Sequence, residues 1–273
     1  MKRAVLLALI LAVLLSAAGC QSIERLLFPV PPSTPSPEQE DGASGAQQGG
    51  ADGAERLSGE GALEAQDGTT LVHYQAELPL FSPDEGALAQ VNRYYRQEYS
   101  TFVSTVEEEL RAVAQANLES HELTGSTYMA CEARQSYVIG REDERYLSVS
   151  RTITMSFGSE TVESYLKGDT FDLETGERIR LGDLFRVPSE EYLPLLRDEV
   201  ARQIRSLQQT DASGRYFDSA PERVEEFLME DNFWLESQSL VLFFPEGTLG
   251  PTGTQSFPIA YDQISDLLTE GIQ

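Results

Sequence analysis

Residues 170–185 read TFDLETGERIRLGDLF, and the rest of the chain is organised around them. Phe171 and Leu173 alternate with polar neighbours, Glu174-Thr175-Gly176-Glu177 has the composition of a turn, and Ile179 and Leu181 resume the alternation. Period-two apolar positions on both sides of a short Gly-containing loop predict a β-hairpin. Gly182-Asp183 ends the pattern, and Leu184-Phe185 form an apolar plug expected to seat under the next helix.

Upstream, the same period recurs over residues 125–139, 145–157 and 160–166. In the middle run Leu147, Val149, Ile153, Met155 and Phe157 share one parity, while Ser148, Ser150, Thr152, Thr154 and Ser156 share the other. Such a meander of antiparallel strands has one apolar face, which needs a helical cover. A strand over 70–78 precedes it. Ser82-Pro83-Asp84-Glu85 then reads as a capping box opening a helix. Leu88, Val91, Tyr95, Tyr99, Phe102, Val106, Leu110 and Val113, in steps of three and four, define its buried face through about Asn117, with room for a bend at Ser100-Thr101. Glu107-Glu108-Glu109 belong to its solvated side.

Downstream, Leu193, Leu196, Val200, Ile204 and Leu207 mark a second helix over 187–207, with Pro194 expected in its first turn. Ser219-Ala220-Pro221-Glu222 opens a short third one. Strands around Phe233-Trp234-Leu235, over 240–244 and over 256–259, and a closing helix over 262–268, complete the chain. The fold class is α+β: an antiparallel sheet meander packed against a long N-terminal helix and further helices.

The N-terminal residues differ in kind. Lys2-Arg3 followed by an apolar run over 4–18 is too short to span a bilayer, which takes about 20 residues, and has the form of a signal peptide. Ala17-Ala18-Gly19-Cys20 resembles a bacterial lipobox, which implies cleavage before Cys20 and diacylglycerol on its thiol. Residues 1–19 are read as the signal peptide and 20–68 as a lipid-anchored disordered linker. The linker is Pro-rich and then Gly/Ala/acidic, without periodicity. Residues 69–273 are the extracellular domain, held on the outer face of the cell membrane through lipidated Cys20.

The formal net charge is −25; cleavage would remove Lys2 and Arg3 and leave 18 − 45 = −27. That balance argues against nucleic acid and favours cationic partners, steered over long range. With Cys20 lipidated, Cys131 is the remaining thiol and is expected to be a small buried hydrophobe. His73, His121 and Cys131 show no zinc spacing, and nucleophile-elbow, P-loop and dinucleotide motifs are missing from the sequence. Asp169, Asp172, Glu174 and Asp183 cluster around the central hairpin without calcium-loop spacing. No catalytic constellation, cofactor or metal is expected.

The pattern FDLETGERIRLGDLF, with the closing run DNFWLESQSLVLFFPEG…SFPIAYDQISDLL, resembles the extracellular domain of RsiV-type anti-sigma factors. That domain also accompanies polysaccharide deacetylases and occurs in surface lipoproteins of Gram-positive bacteria. The resemblance implies an α+β fold and, for one branch, binding of lysozyme. The expected function is a non-catalytic binding or sensor module for lysozyme or another cationic protein. The alternative is an accessory factor that contacts peptidoglycan or assists a wall enzyme. Candidate ligand contacts are Asp172, Glu174 and Glu177 on the hairpin, the loop 247–253, and Trp234 and Tyr261 as sugar-stacking aromatics.

Overall fold

A computed structural model describes residues 55–210 and 214–272 of the chain. The expected signal peptide, Cys20 and the expected linker up to residue 54 lie outside the described residues. The fold is α+β, as the alternation of periods implied. It comprises a five-stranded sheet backed by helices and a three-stranded sheet backed by others.

The first sheet holds β1 (Glu55–Glu64), β2 (Thr70–Leu80), β3 (Cys131–Glu142), β4 (Tyr146–Ser156) and β5 (Val162–Asp172), side by side in that order. Two expectations are corrected here. Part of the linker, Glu55–Glu64, is an ordered edge strand antiparallel to β2, so the folded part reaches back beyond residue 69. Its Leu57 and Leu63 pack on the sheet's helical side, which gives this Gly-containing segment something to bury. The sheet is also not a pure meander: β2 and β3 are parallel, while β3, β4 and β5 run antiparallel. Parallel neighbours need a long crossover, and the N-terminal helices supply it.

That crossover consists of α1 (Gly86–Ser104), a π-helical turn (Thr105–Leu110) and α2 (Arg111–Thr124) in direct succession. The apolar residues Phe102, Val106, Leu110, Ala114 and Leu118, all buried, recur every four residues. At about 3.6 residues per turn such a row would wind round the helix; one wider turn returns it to the sheet. The irregularity expected at Ser100-Thr101 therefore falls at residues 105–110. Glu107 and Glu108 are exposed, whereas Glu109 is half-buried, and burial, with Glu108 beside it, raises its carboxyl pKa.

Ser82 makes no cap for α1, which starts at Gly86 after Glu85. Asn92 does the anchoring instead. Fully buried, its amide accepts from Phe81 N at 2.8 Å and donates to Phe81 O at 2.8 Å and Asp84 Oδ1 at 3.0 Å.

After the turn at 173–177, the second arm of the hairpin is shorter than expected. Ile179 N donates to Thr170 O and Phe171 bridges Arg178, but Leu181–Leu184 then form a 3-10 turn. Leu181, Leu184 and Phe185 join the core under α3 (Ser189–Thr210), with the Phe185 ring stacked on Tyr192 at 4.0 Å. Pro194 is the sixth residue of α3 and so lies in its second turn. Leu207, expected in the buried row, is exposed, and Tyr192 and Ala201 extend the row instead.

Next come α4 (Ala220–Phe227), whose Ser219 makes no side-chain cap, and the antiparallel sheet β6 (Phe233–Leu235), β7 (Ser239–Phe244) and β8 (Gln255–Ala260). The closing helix α5 (Tyr261–Ile264) is a single turn. Among the described residues, no helix is long and apolar enough to cross a membrane.

Cys131 sits fully buried opposite Val72, and burial pushes its thiol pKa up to about 11. In a Cys20→Ser chain, a thiol reagent at neutral pH is expected to label Cys131 only as fast as the fold opens, and faster as urea is added. Immediate labelling in native buffer would contradict this burial.

Candidate functional site

One end of the five-stranded sheet gathers the candidate contacts. Two tight turns meet there: residues 142–145, joining β3 to β4, and residues 172–177, following β5. In the first, Asp143 accepts from Arg145 N at 2.8 Å and Tyr146 N at 2.7 Å, and its other oxygen meets Arg141. Burial acts to raise the Asp143 pKa, but these donors outweigh it and hold the carboxyl below the usual range. In the second turn, Asp172 accepts from Glu174 N at 2.8 Å, and Gly176, at φ 77°, closes the loop by donating to Asp172 O.

Arg145 joins the two turns. Its backbone carbonyl accepts from Leu173 N at 2.6 Å, and its guanidinium lies 3.5 Å from Asp172 and 3.9 Å from Glu174. Glu142, Glu144, Glu174 and Glu177 are exposed around this junction. The arrangement holds carboxylates on rigid turns at the tip of a sheet, a geometry that can meet cations.

Arg141 carries the connection to the second sheet. Its guanidinium donates to Ile272 O at 2.7 Å and Gly271 O at 3.0 Å, and lies over the rings of Tyr146 and Tyr261 at 5.7 and 5.5 Å. Tyr261, only 6% exposed, donates its hydroxyl to Glu236 O at 2.8 Å. It is therefore committed to the core, and its place as a sugar platform is corrected. Trp234 is half-buried. Its ring packs near Phe243, its Nε1 donates to Glu236 at 3.3 Å, and it lies against Gly140. The loop 247–253 is no free docking loop either: Leu249 is fully buried, and its carbonyl accepts from Phe217 N at 2.9 Å.

The acids considered for calcium are dispersed by the fold. Asp183 accepts from Arg180 N at 2.7 Å, Asp172 closes its turn, and Asp169 is turned inward. Among the described residues, no group of three or more His, Cys, Asp or Glu could hold a metal ion. His73 lies exposed on β2, and His121 is bound to Ser126 O at the end of α2.

What sequence reading missed is a buried polar network beneath this end. Arg151, 0% exposed, points from β4 into the sheet–helix interface. Its Nε donates to Asp169 Oδ2 at 2.5 Å, its Nη2 to Tyr94 Oη at 3.0 Å, and its Nη1 lies 2.8 Å from Glu98. Tyr94 donates to Asp169 Oδ1 at 2.6 Å, and Arg178 approaches the same oxygen at 3.6 Å. Burial acts to lower the Arg151 pKa, but Asp169, Tyr94 and Glu98 reverse that and hold it above its ordinary value. Burial, with Asp169, raises the Tyr94 hydroxyl far above the ordinary tyrosine range. A visible signal existed: Arg151 occupies the parity of Val149 and Ile153, and Asp169 that of Phe171.

The C-terminal half, from the 3-10 turn through α3, α4 and the second sheet, matches a family model described as "Protein of unknown function (DUF3298)". Residues 182–262 are a DUF3298 domain. A member of the DUF3298 family from Bacteroides fragilis is similar in structure, with a TM-score of 0.60 at 12% identity, over 80% of this chain and 93% of that one. A DUF3298 family protein from Pseudomonas aeruginosa PAO1 is similar with a TM-score of 0.51 at 12% identity, over 80% of this chain and 95% of that one. At such identities the likeness is one of fold. It extends well beyond the DUF3298 segment into the five-stranded sheet. No curated protein matches the sequence.

Proposed function

We propose that the chain is a lipid-anchored surface protein whose folded part is a non-catalytic binding module for a cationic protein. The observation that carries this reading is the pair of linked turns whose carboxylates Glu142, Glu144, Glu174 and Glu177 stand exposed on a chain of net charge −25. Many of the arginines elsewhere are already matched: Arg96, Arg197, Arg202, Arg205 and Arg223 each lie beside an acid. The acidic surplus is therefore left for an external partner. The resemblance of FDLETGERIRLGDLF to RsiV-type extracellular domains makes lysozyme the first cation to test, and the lipobox-like Cys20 would hold the module at the outer membrane face.

Titration calorimetry of the full chain with lysozyme, at low and at physiological salt, tests the proposal. Binding is expected to persist at physiological salt. A Glu174→Gln/Glu177→Gln chain is expected to bind roughly two- to fivefold more weakly per carboxylate removed. Binding confined to low salt would reduce the effect to nonspecific attraction, and none at either salt would end the lysozyme reading.

The alternative, a factor contacting wall glycan, keeps Trp234, which is half-buried, and loses Tyr261.

A further inference from the structure

β1 is an edge of the five-stranded sheet: among the described residues it pairs with β2 on one side and has no strand on the other. Every second residue of such a strand turns its N–H and C=O away from its partner, so β1 presents a row of unpaired backbone groups. The two sides of its pleat differ. Leu57, Gly59, Gly61 and Leu63 share one parity, and Leu57 and Leu63 pack toward the helices. Ser58, Glu60, Ala62 and Glu64 share the other and are exposed on the open side of the sheet.

The helical side of this edge is apolar and aromatic. A Cβ on Gly59 would stand 2.0 Å from Tyr99 Oη, and one on Gly61 2.8 Å from the Tyr74 ring, so two tyrosines occupy the space that side chains of β1 would fill. Both are half-buried: they pack on the helix-side core, and no described strand lies beyond β1 to cover their outer surfaces. Arg111 donates to Glu64 O at 3.4 Å, so the helical crossover follows β1 from Tyr99 to Arg111. Half-buried Val103 and exposed Glu107 lie between them at four-residue steps, the spacing that keeps Phe102, Val106 and Leu110 in line with the sheet.

We infer that the outer edge of β1 takes up an extended, cationic segment of another protein as a sixth strand. Alternation fixes the pattern of that segment. Glu60 and Glu64 stand on the open side with Ala62 between them. Lys or Arg at positions i and i+4 of the incoming strand therefore meet them across about 5 Å, with a small residue at i+2. Positions i+1 and i+3 turn to the helical side, beside Tyr99, Tyr74 and Val103, and are apolar. Main-chain hydrogen bonds hold such a strand and the alternate side chains select it. Charge decides the class of occupant. Acids on an edge repel acidic strands and leave it open to basic ones. A second copy of this chain would bring another −25 to the contact. The two nearby arginines are engaged, Arg56 with the Tyr137 hydroxyl and Arg111 with Glu64 O. This edge runs along the side of the sheet, apart from the linked turns at its end, and takes an extended segment. It shares with the proposed function only the sign of the partner's charge, so either can fail alone.

Fluorescence anisotropy of the full chain with a labelled, capped Lys-Val-Ser-Val-Lys peptide flanked by threonines tests the site, with amide hydrogen exchange to locate it. The peptide is expected to bind and to slow exchange within residues 55–64. A scrambled peptide, Lys-Lys-Ser-Val-Val, keeps the charge but loses the alternation and is expected to bind about tenfold more weakly. Methylating alternate peptide amides is expected to weaken binding about tenfold in the phase that faces β1 and little in the other. Glu60→Gln/Glu64→Gln is expected to weaken it about two- to fivefold per carboxylate, whereas Glu174→Gln/Glu177→Gln should bind like the parent. Absence of binding overturns the inference, as do equal binding of the scrambled peptide, equal effects of the two methylation phases, and protection outside β1. A chain that sediments as a dimer with β1 already protected would make a second copy the occupant and overturn it too.

Discussion

Gly168→Ala is expected to lower stability by about 3 kcal/mol or more, the upper range for overpacking a tight interior. Gly168 lies on β5 where the edge of β6 crosses the first sheet, and an added Cβ would stand 1.7 Å from Phe233 O. The obstacle is backbone, which cannot rotate away as a side chain can. Gly140 marks the second crossing point, where a Cβ would meet Leu235 O at 2.4 Å. Between them Leu235 N donates to Ser148 Oγ at 2.7 Å. Because β6 is the strand by which the DUF3298 segment rests on the five-stranded sheet, the substitution should separate the two halves before it damages either. Urea unfolding followed by circular dichroism should show a lower midpoint, and a two-step transition would report that separation directly. Gly253→Ala is the control. Unlike Gly168, Gly253 has a positive φ, of 66°, but a Cβ there meets nothing within 4 Å, so only the smaller conformational cost of its backbone applies. Equal losses from the two changes would mean that the crossing is not closely packed.

Asp169→Ala is expected to cost about 3–5 kcal/mol, the range for leaving one partner of a buried ion pair behind. Arg151 would keep Glu98 but lose both of its bonds to Asp169, and Tyr94 would lose its acceptor. A paired change, Arg151→Met with Asp169→Leu, should recover much of the loss, since a hydrophobic replacement of a buried pair is often neutral. The pKa directions make the effect insensitive to pH. The Arg151 pKa is raised, so its contribution is complete below the ordinary arginine value and disappears only as pH rises through the higher folded one. The Tyr94 pKa is raised as well, so its hydroxyl remains a donor. The stability difference between parent and Asp169→Ala should therefore match at about pH 6 and about pH 9. A loss under 1 kcal/mol would show the network to be stabilising nothing beyond its own desolvation.

How far these features were legible depends on the distance over which each is determined. The turn of residues 172–177 could be read from composition because Asp172 and Gly176 satisfy it locally. The apolar parity of β4 was legible too, and Arg151 was the one position that broke it. The π-helical turn at 105–110 left a trace in the four-residue spacing of Phe102, Val106 and Leu110, which steps of three and four on an ordinary helix face also allow. β1 left less. Its glycines and acids look like a linker until Leu57 and Leu63 are seen against the helices.

Sequence alone determined the α+β class, most of the strands and helices, the acidic surplus and the turns, because alternation, helical periodicity and turn chemistry act between residues a few positions apart. Tertiary structure decided what those elements face. It made β2 and β3 parallel neighbours, buried Tyr261 under Arg141, and set Arg151 against Asp169 and Tyr94. It also brought Asp172 and Glu174 beside Arg145. The physical reason is that burial and pairing are properties of space: a side chain's local pattern says which face it occupies, and only packing between distant segments says whether that face meets water, core or charge.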